Sequence, residues 1–407
     1  MPVKINKKFK NKIVSRYFDY NLLAVVVILI CFGLVMLYSA SSYEASTKFG
    51  NDLYYLMRQG IFALGALAIT FVIVKIDYHI YFRFAFVTWL ISLFLMAMVK
   101  YSPFGITAGG ARRWLGYGAV QFQPSEVMKI TLILFASSLI VRLGREFYTF
   151  FGTAKVLGVG AVSAVGAYYF TDNLSTGIII FIIDLVIVFV AHPKTWPFIL
   201  AAVLAFIVLF AAVLIYSNQI ENTSSFRLKR VLVWLNPEKY SDLGGYQVLQ
   251  GLYAIGSGGF FGKGLGNSTQ KLDTIPEAQN DMIFSIICEE LGVFGAIVVV
   301  LLFAYLLYRI LCIARSAPDL KGTLIATGVF AHISVQVILN ICVVLNVIPT
   351  TGVTLPFFSY GGTSIIFLMM EIGLVLGVSR QINIKVKAPV QTKKYKVARN
   401  KVIIDKR

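Results

Sequence analysis

Ten apolar runs divide this chain, each of roughly the ~20 residues that an α-helix needs to cross a bilayer. They lie near 21–40, 59–76, 84–100, 124–141, 153–171, 174–191, 196–216, 282–308, 322–347 and 360–379. Hydrocarbon offers no water to unpaired backbone groups, so runs of this kind can cross only as helices. The expected fold is therefore all-α: a polytopic membrane protein with about ten transmembrane helices. Composition agrees, since 58% of the 407 residues are hydrophobic and only 14% are charged, against roughly 25% charged in soluble proteins. The expected organisation is a basic tail at 1–20, a membrane domain at 21–380 and a second basic tail at 381–407. One long connection, 217–281, separates the seventh and eighth runs.

The net charge of +18 would suggest nucleic acid in a soluble chain. Here positive charge gathers in the tails and alternate loops, as on the cytoplasmic side of membrane proteins, and no nucleic-acid partner is expected. The first run shows no small-residue cleavage site and reads as a retained helix. Both termini are then cytoplasmic, together with Arg142, Arg145, Lys194, Arg309, Arg315 and Lys321. Arg112, Arg113, Arg227, Lys229, Arg230, Lys263 and Lys271 fall on the outer side, against the rule. An anionic ligand is one reason for them; solvation or headgroup contact is the other. Cys31, Cys288, Cys312 and Cys342 are scattered in apolar runs as free thiols, and His79, His192 and His332 do not cluster for metal or triad chemistry.

Residues 256–292, GSGGFFGKGLGNSTQKLDTIPEAQNDMIFSIICEELG, carry the densest chemistry. Glycine permits close backbone approach to a ligand, and Lys263 and Lys271 can meet an anion. A mobile portion is expected from Gly256 to Gly266. Asp281 stands where this polar loop enters hydrocarbon, which is costly without a partner, a polar cavity or a role. Glu289 and Glu290 in the eighth run should face the protein interior unless that helix is tilted. Pro124 suits a helix start, and Glu126 and Lys129, three apart, share a face as a structural ion pair, a charged cavity wall or both. Asp184 and Glu371 lie deeper in spans without an assigned role. No P-loop, dinucleotide fingerprint or zinc motif is present.

The segments GARRWLGYGAVQFQPSEVMK, NLSTGIIIF, GSGGFFGKGLGNSTQK, IPEAQNDMIFSIICEELG and TGVTLPFFSYGGTS resemble, in order, those of the SEDS family of bacterial cell-wall polymerases. The resemblance runs from Tyr20 to about Asn383 and is closest to its FtsW-type members from Gram-positive bacteria. Where the family usually has Pro-Glu-x-His-Thr-Asp-Phe-Ile-Phe, this chain has Pro276-Glu277-Ala278-Gln279-Asn280-Asp281-Met282-Ile283-Phe284. The His-Thr pair is lost and the acid is kept, so Asp281 remains the candidate base. The resemblance implies a peptidoglycan glycosyltransferase that polymerises lipid II at the outer face of the cytoplasmic membrane, with a role in division. It also implies a cognate class B penicillin-binding protein, a transpeptidase, and other divisome proteins as partners. One carboxylate with basic residues is enough chemistry for displacing a lipid pyrophosphate. Arg112, Arg113, Lys263 and Lys271 are the pyrophosphate candidates, and Glu126 and Lys129 line the cavity. Glu277 and Ser359, inside matching segments, complete the substrate-binding set. A divalent cation, Mg2+ or Mn2+, could share the phosphate task, although no ligand set identifies one. The competing readings are a lipid II flippase and a non-catalytic division scaffold.

Overall fold

The computed structural model describes residues 14–108, 110–117, 120–216, 226–272 and 275–385. Most of both basic tails, including all of 386–407, lies outside the described residues. A short strand β1 (Val14–Arg16) precedes helices α1 (Tyr20–Phe49), α2 (Tyr54–Lys75) and α3 (Tyr78–Tyr101). A three-stranded antiparallel meander follows: β2 (Gly105–Ala108), β3 (Ala111–Tyr117) and β4 (Val120–Phe122). Then come α4 (Pro124–Leu143), α5 (Phe150–Thr171), α6 (Leu174–Ala191) and α7 (Trp196–Tyr216). Two short helices, α8 (Phe226–Leu235) and α9 (Gly245–Gly258), occupy the long connection. The chain closes with α10 (Ile283–Ser316), α11 (Leu320–Val344), α12 (Ser364–Arg380) and β5 (Asn383–Lys385).

Eight of these helices are long and apolar enough to cross a membrane, and the apolar helices α7 and α12 coincide with the remaining two expected runs. The fold is all-α apart from the meander and one small ribbon. That ribbon pairs β1 with β5, Val14 opposite Lys385, so the two ends of the described chain meet at one end of the bundle. An even number of crossings requires this. Helix ends follow local rules. Asp19, Asp77, Thr149, Asn173 and Asp319 each accept a backbone N–H at a helix start, and Gly50 ends α1 in the left-handed conformation.

The core is continuous and apolar, with Leu29, Met128, Ile183, Phe303, Ile333 and Met369 at or near zero exposure. Lipid tails are as apolar as leucine, so close packing and buried polar contacts, rather than exclusion from water, favour helix association within the bilayer. Arg309 at the far end of α10 reaches Asp19 at 2.6 Å, and Tyr78 donates to Asp319 at 2.7 Å, tying the terminus-bearing end together.

Helix α10 is broken at Gly292, whose φ of 68° and ψ of −166° are not helical. The glycine-rich segment expected to be mobile fills this break. The backbone N–H groups of Lys263 and Gly264 donate to the carbonyls of Glu289 and Glu290 at 2.9 Å. Val293 and Phe294 in turn donate to Gly259 and Phe260 at 3.0 Å. Glycine is required here for backbone-on-backbone approach: a Cβ on Gly258 would meet the Cys288 carbonyl at 2.0 Å. At Gly292 a Cβ would meet the Gly262 nitrogen at 2.4 Å on a backbone that disfavours side chains. Gly292→Ala is expected to lower stability by about 1–3 kcal/mol or more through that strain, read as a drop in the thermal midpoint of the detergent-solubilised protein.

Candidate active site

Asp281 sits in the turn just before α10, outside the helical spans. Its main chain is held from several directions. The amide of Asn340, on α11, donates to the Asp281 carbonyl and to the Val353 carbonyl, both at 2.8 Å. The N–H of Tyr360 donates to the Gln279 carbonyl at 2.8 Å. Gln247, on α9, donates to the Pro276 carbonyl at 3.2 Å and approaches Asp281 Oδ1 at 3.5 Å. Among the described side chains, Gln247 is the one that reaches the carboxylate, at long range, and the backbone N–H of Asp281 itself adds a hydrogen bond. Burial pushes its pKa from 3.8 up to about 6, the Glu277 charge adds to the rise, and the Arg230 charge opposes it. A carboxylate tuned upward in this way is a stronger base that is still ionised at neutral pH.

Arg230, on α8, donates to the Thr350 carbonyl at 3.0 Å, and Ser175, at the start of α6, donates to the Thr351 carbonyl at 3.1 Å. With Asn340 on Val353, these contacts stitch the 350–354 loop against the Asp281 turn.

Glu126 and Lys129 form the expected ion pair, 2.7 Å apart and almost fully buried. The pair continues inward. Lys129 Nζ is 2.9 Å from His332 Nε2, and His332 Nδ1 is 2.7 Å from Glu371. Gln336 lies 2.8 Å from the same His332 Nε2 and donates to the Thr354 carbonyl at 3.1 Å. His332, Gln336 and Asn340 are spaced four apart and so share one face of α11. That face is a polar ladder from the buried ion pair to the backbone of Asp281. The spacing was visible in the sequence as three polar residues at i, i+4 and i+8 of an apolar helix. Glu371 gains a partner. Asp184 is buried with its carboxylate packed on Gly160 of α5.

Other expected binding residues are occupied elsewhere. Lys263 pairs with Glu289 at 2.6 Å, and Lys271 pairs with Glu290 at 2.8 Å. Lys271 also donates to Ser39 at 3.1 Å and to the Gly266 carbonyl at 2.8 Å, beside a cavity of about 620 Å³. These two lysines thus neutralise the inward-facing acids of α10. Arg112 donates to the carbonyls of Lys100 and Ser102 at 3.2 and 2.6 Å, closing the C-terminus of α3. Arg113 is half-buried in β3. Ser359 accepts the Leu355 N–H at 2.8 Å and braces its own loop. Glu277 is exposed, has a φ of 56° and accepts from Asn280. Sequence reasoning left Arg230, Gln247 and Asn340 out of the site, although Arg230 already stood among the basic residues on the outer side. Among the described residues no three His, Cys, Asp or Glu side chains gather as a metal site.

A family model described as the FtsW/RodA/SpoVE cell cycle protein matches residues 20–384. The chain belongs to this family. The stage V sporulation protein E of Bacillus subtilis is 37% identical over 364 residues, covering 89% of this chain and 97% of that protein. A probable peptidoglycan glycosyltransferase FtsW of Geobacter is 34% identical over 369 residues, covering 90% and 97%. Among solved structures, a chain of a peptidoglycan synthase complex that coordinates polymerization and crosslinking superposes with a TM-score of 0.74 at 29% identity. It covers 90% of this chain and 98% of the other. The rod shape determining protein RodA of Thermus thermophilus gives a TM-score of 0.65 at 26% identity, covering 90% and 97%. This FtsW/RodA/SpoVE member therefore shares the whole membrane fold with its relatives, not one segment of it.

Proposed function

We propose that the chain is a peptidoglycan glycosyltransferase that polymerises lipid II into glycan strands at the outer face of the cytoplasmic membrane, with Asp281 as general base. The observation that carries this reading is the Asp281 site: a carboxylate with a raised pKa and no cation paired to it at hydrogen-bond distance among the described residues, its backbone fixed by Asn340. The relatives named as peptidoglycan glycosyltransferases support it. Asp281 takes the proton of the acceptor sugar hydroxyl while that oxygen attacks the anomeric carbon of the donor. The bond from that carbon to undecaprenyl pyrophosphate breaks, the pyrophosphate leaves with the electron pair, and the anomeric configuration inverts. Arg230, whose charge acts on Asp281, is assigned to the leaving charge beside the basic residues of the same face. A phosphate-bound Mg2+ or Mn2+ would neutralise the leaving charge, with Glu277 as the carboxylate that could hold it while Asp281 keeps its base role.

The similarity to a chain of a synthase complex supports a crosslinking transpeptidase as partner. Sporulation and division relatives together support septal synthesis. The decisive experiment is polymerisation of lipid II by the purified protein, with and without that transpeptidase. Substrate supplied only at the outer face of proteoliposomes should be consumed, whereas a flippase would release no polymer. Cysteine labels in 226–272 should react with an impermeant reagent in intact cells, and protection there would overturn the proposed sidedness. Asn340→Ala is expected to lower kcat about 10–100-fold through misplacement of Asp281, with a smaller change in KM. An unchanged kcat would remove Asn340 from a positioning role.

A further inference from the structure

At the end of the bundle that carries both chain ends, α3, α4 and α11 line an open pocket of about 310 Å³. Its lining includes His79, Phe82, Arg83, Ser138, Arg142 and Lys321, and among the described residues no acid. Arg83 and Arg142 are exposed and make no hydrogen bond or ion pair with the described residues; Lys321 is half-buried over the Phe82 ring, 5.2 Å from its centre. The nearby acids are paired with His79 of the lining itself. Asp77 and Asp319 hold the two nitrogens of His79 at 2.7 and 2.8 Å, and Asp319 also caps α11.

Lys321 stands in the first turn of α11 and Arg83 in the second turn of α3, and the positive ends of both helices are already met by the capping carboxylates of Asp319 and Asp77. Arg83 and Arg142 are therefore the cations left without an acid among the described residues. Beside the pocket, Ile80, Phe84 and Val87 of α3 are 51%, 53% and 52% exposed and form an apolar stripe at helical spacing. A basic pocket continued by an apolar stripe suits one molecule with a charged head and a hydrocarbon tail.

We propose that this pocket binds the phosphodiester headgroup of an anionic glycerophospholipid, with the arginines forking the phosphate oxygens and the acyl chains lying along α3. The site lies at the opposite end of the bundle from Asp281 and does not depend on the glycosyltransferase reading. The test is native mass spectrometry and thermal stability of the full-length protein in detergent. The added probes are phosphatidylglycerol, phosphatidylcholine and inorganic phosphate. Phosphatidylglycerol should be retained and should raise the thermal midpoint, and phosphatidylcholine should do neither. In the triple variant Arg83→Gln/Arg142→Gln/Lys321→Gln, affinity should fall by roughly fivefold per basic residue, about a hundredfold together. The charge-matched variant Arg145→Gln/Lys194→Gln/Arg315→Gln, outside the pocket, should bind as the wild type does. Equal loss in both variants would reduce the effect to diffuse charge and overturn the site. Equal stabilisation by inorganic phosphate would overturn the lipid as its occupant.

Discussion

Asp281→Asn is expected to reduce lipid II polymerisation by about 10²–10⁴-fold, the usual cost of removing a general base. The substitution keeps size and the Asn340 contact to the main chain, and removes only the proton acceptor. The pKa of about 6 adds a second expectation with opposite signs for activity and stability. Activity needs the ionised form, so kcat/KM should fall about tenfold per pH unit below about pH 6 and level off above it. Stability follows the neutral form. A pKa raised above its ordinary value contributes stability that is full below about pH 4 and lost as the pH rises through about 6. The asparagine variant, neutral at every pH, should therefore be at least as heat-stable as the wild type at pH 7. Turnover at the wild-type rate, or a collapse of folding that explains the lost activity, would each remove Asp281 from the base role.

Glu290→Leu is expected to destabilise the protein by about 3–5 kcal/mol, the range for leaving one member of a buried ion pair alone. Glu290 is fully buried, and the Lys271 side chain is only 7% exposed. Without the acid, the ammonium keeps only Ser39 and the Gly266 carbonyl as partners. The double variant Glu290→Leu/Lys271→Leu should recover most of the loss, because replacing both charges by apolar groups is often neutral. Thermal unfolding of the singles and the double in one detergent measures the coupling. A Lys271→Leu variant that unfolds normally yet loses turnover would return Lys271 to the substrate, and the pairing with Glu290 would then be incidental.

Glu126 and Lys129 are also a buried pair with further partners. As an isolated pair on one helix they would tolerate exchange of their charges. With His332 and Glu371 beyond Lys129, an acid at position 129 would face Glu371 across the imidazole. The swapped pair is therefore expected to remain unstable in thermal unfolding, and only the tertiary contacts to α11 and α12 make it so.

The sequence by itself determined the spans, the long connection, the inward orientation of Glu289 and Glu290 and the candidacy of Asp281. Each follows from a local energetic demand: twenty apolar residues must be helical in hydrocarbon, and a charge beside them must be paired or used. Partners were not legible in this way. Lys263 and Lys271 read as ligand-binding cations because the acids that pair with them lie 26 and 19 residues away, on a helix that only folding brings back beside them. The glycines read as room for a ligand, whereas they admit another stretch of backbone. Asn340 carried no sequence signal of its own, because its value is the 2.8 Å reach to the carbonyl of a residue fifty-nine positions earlier. Local sequence fixes which groups cannot be left alone in the membrane; tertiary structure decides which of them satisfy one another and which remain open for chemistry.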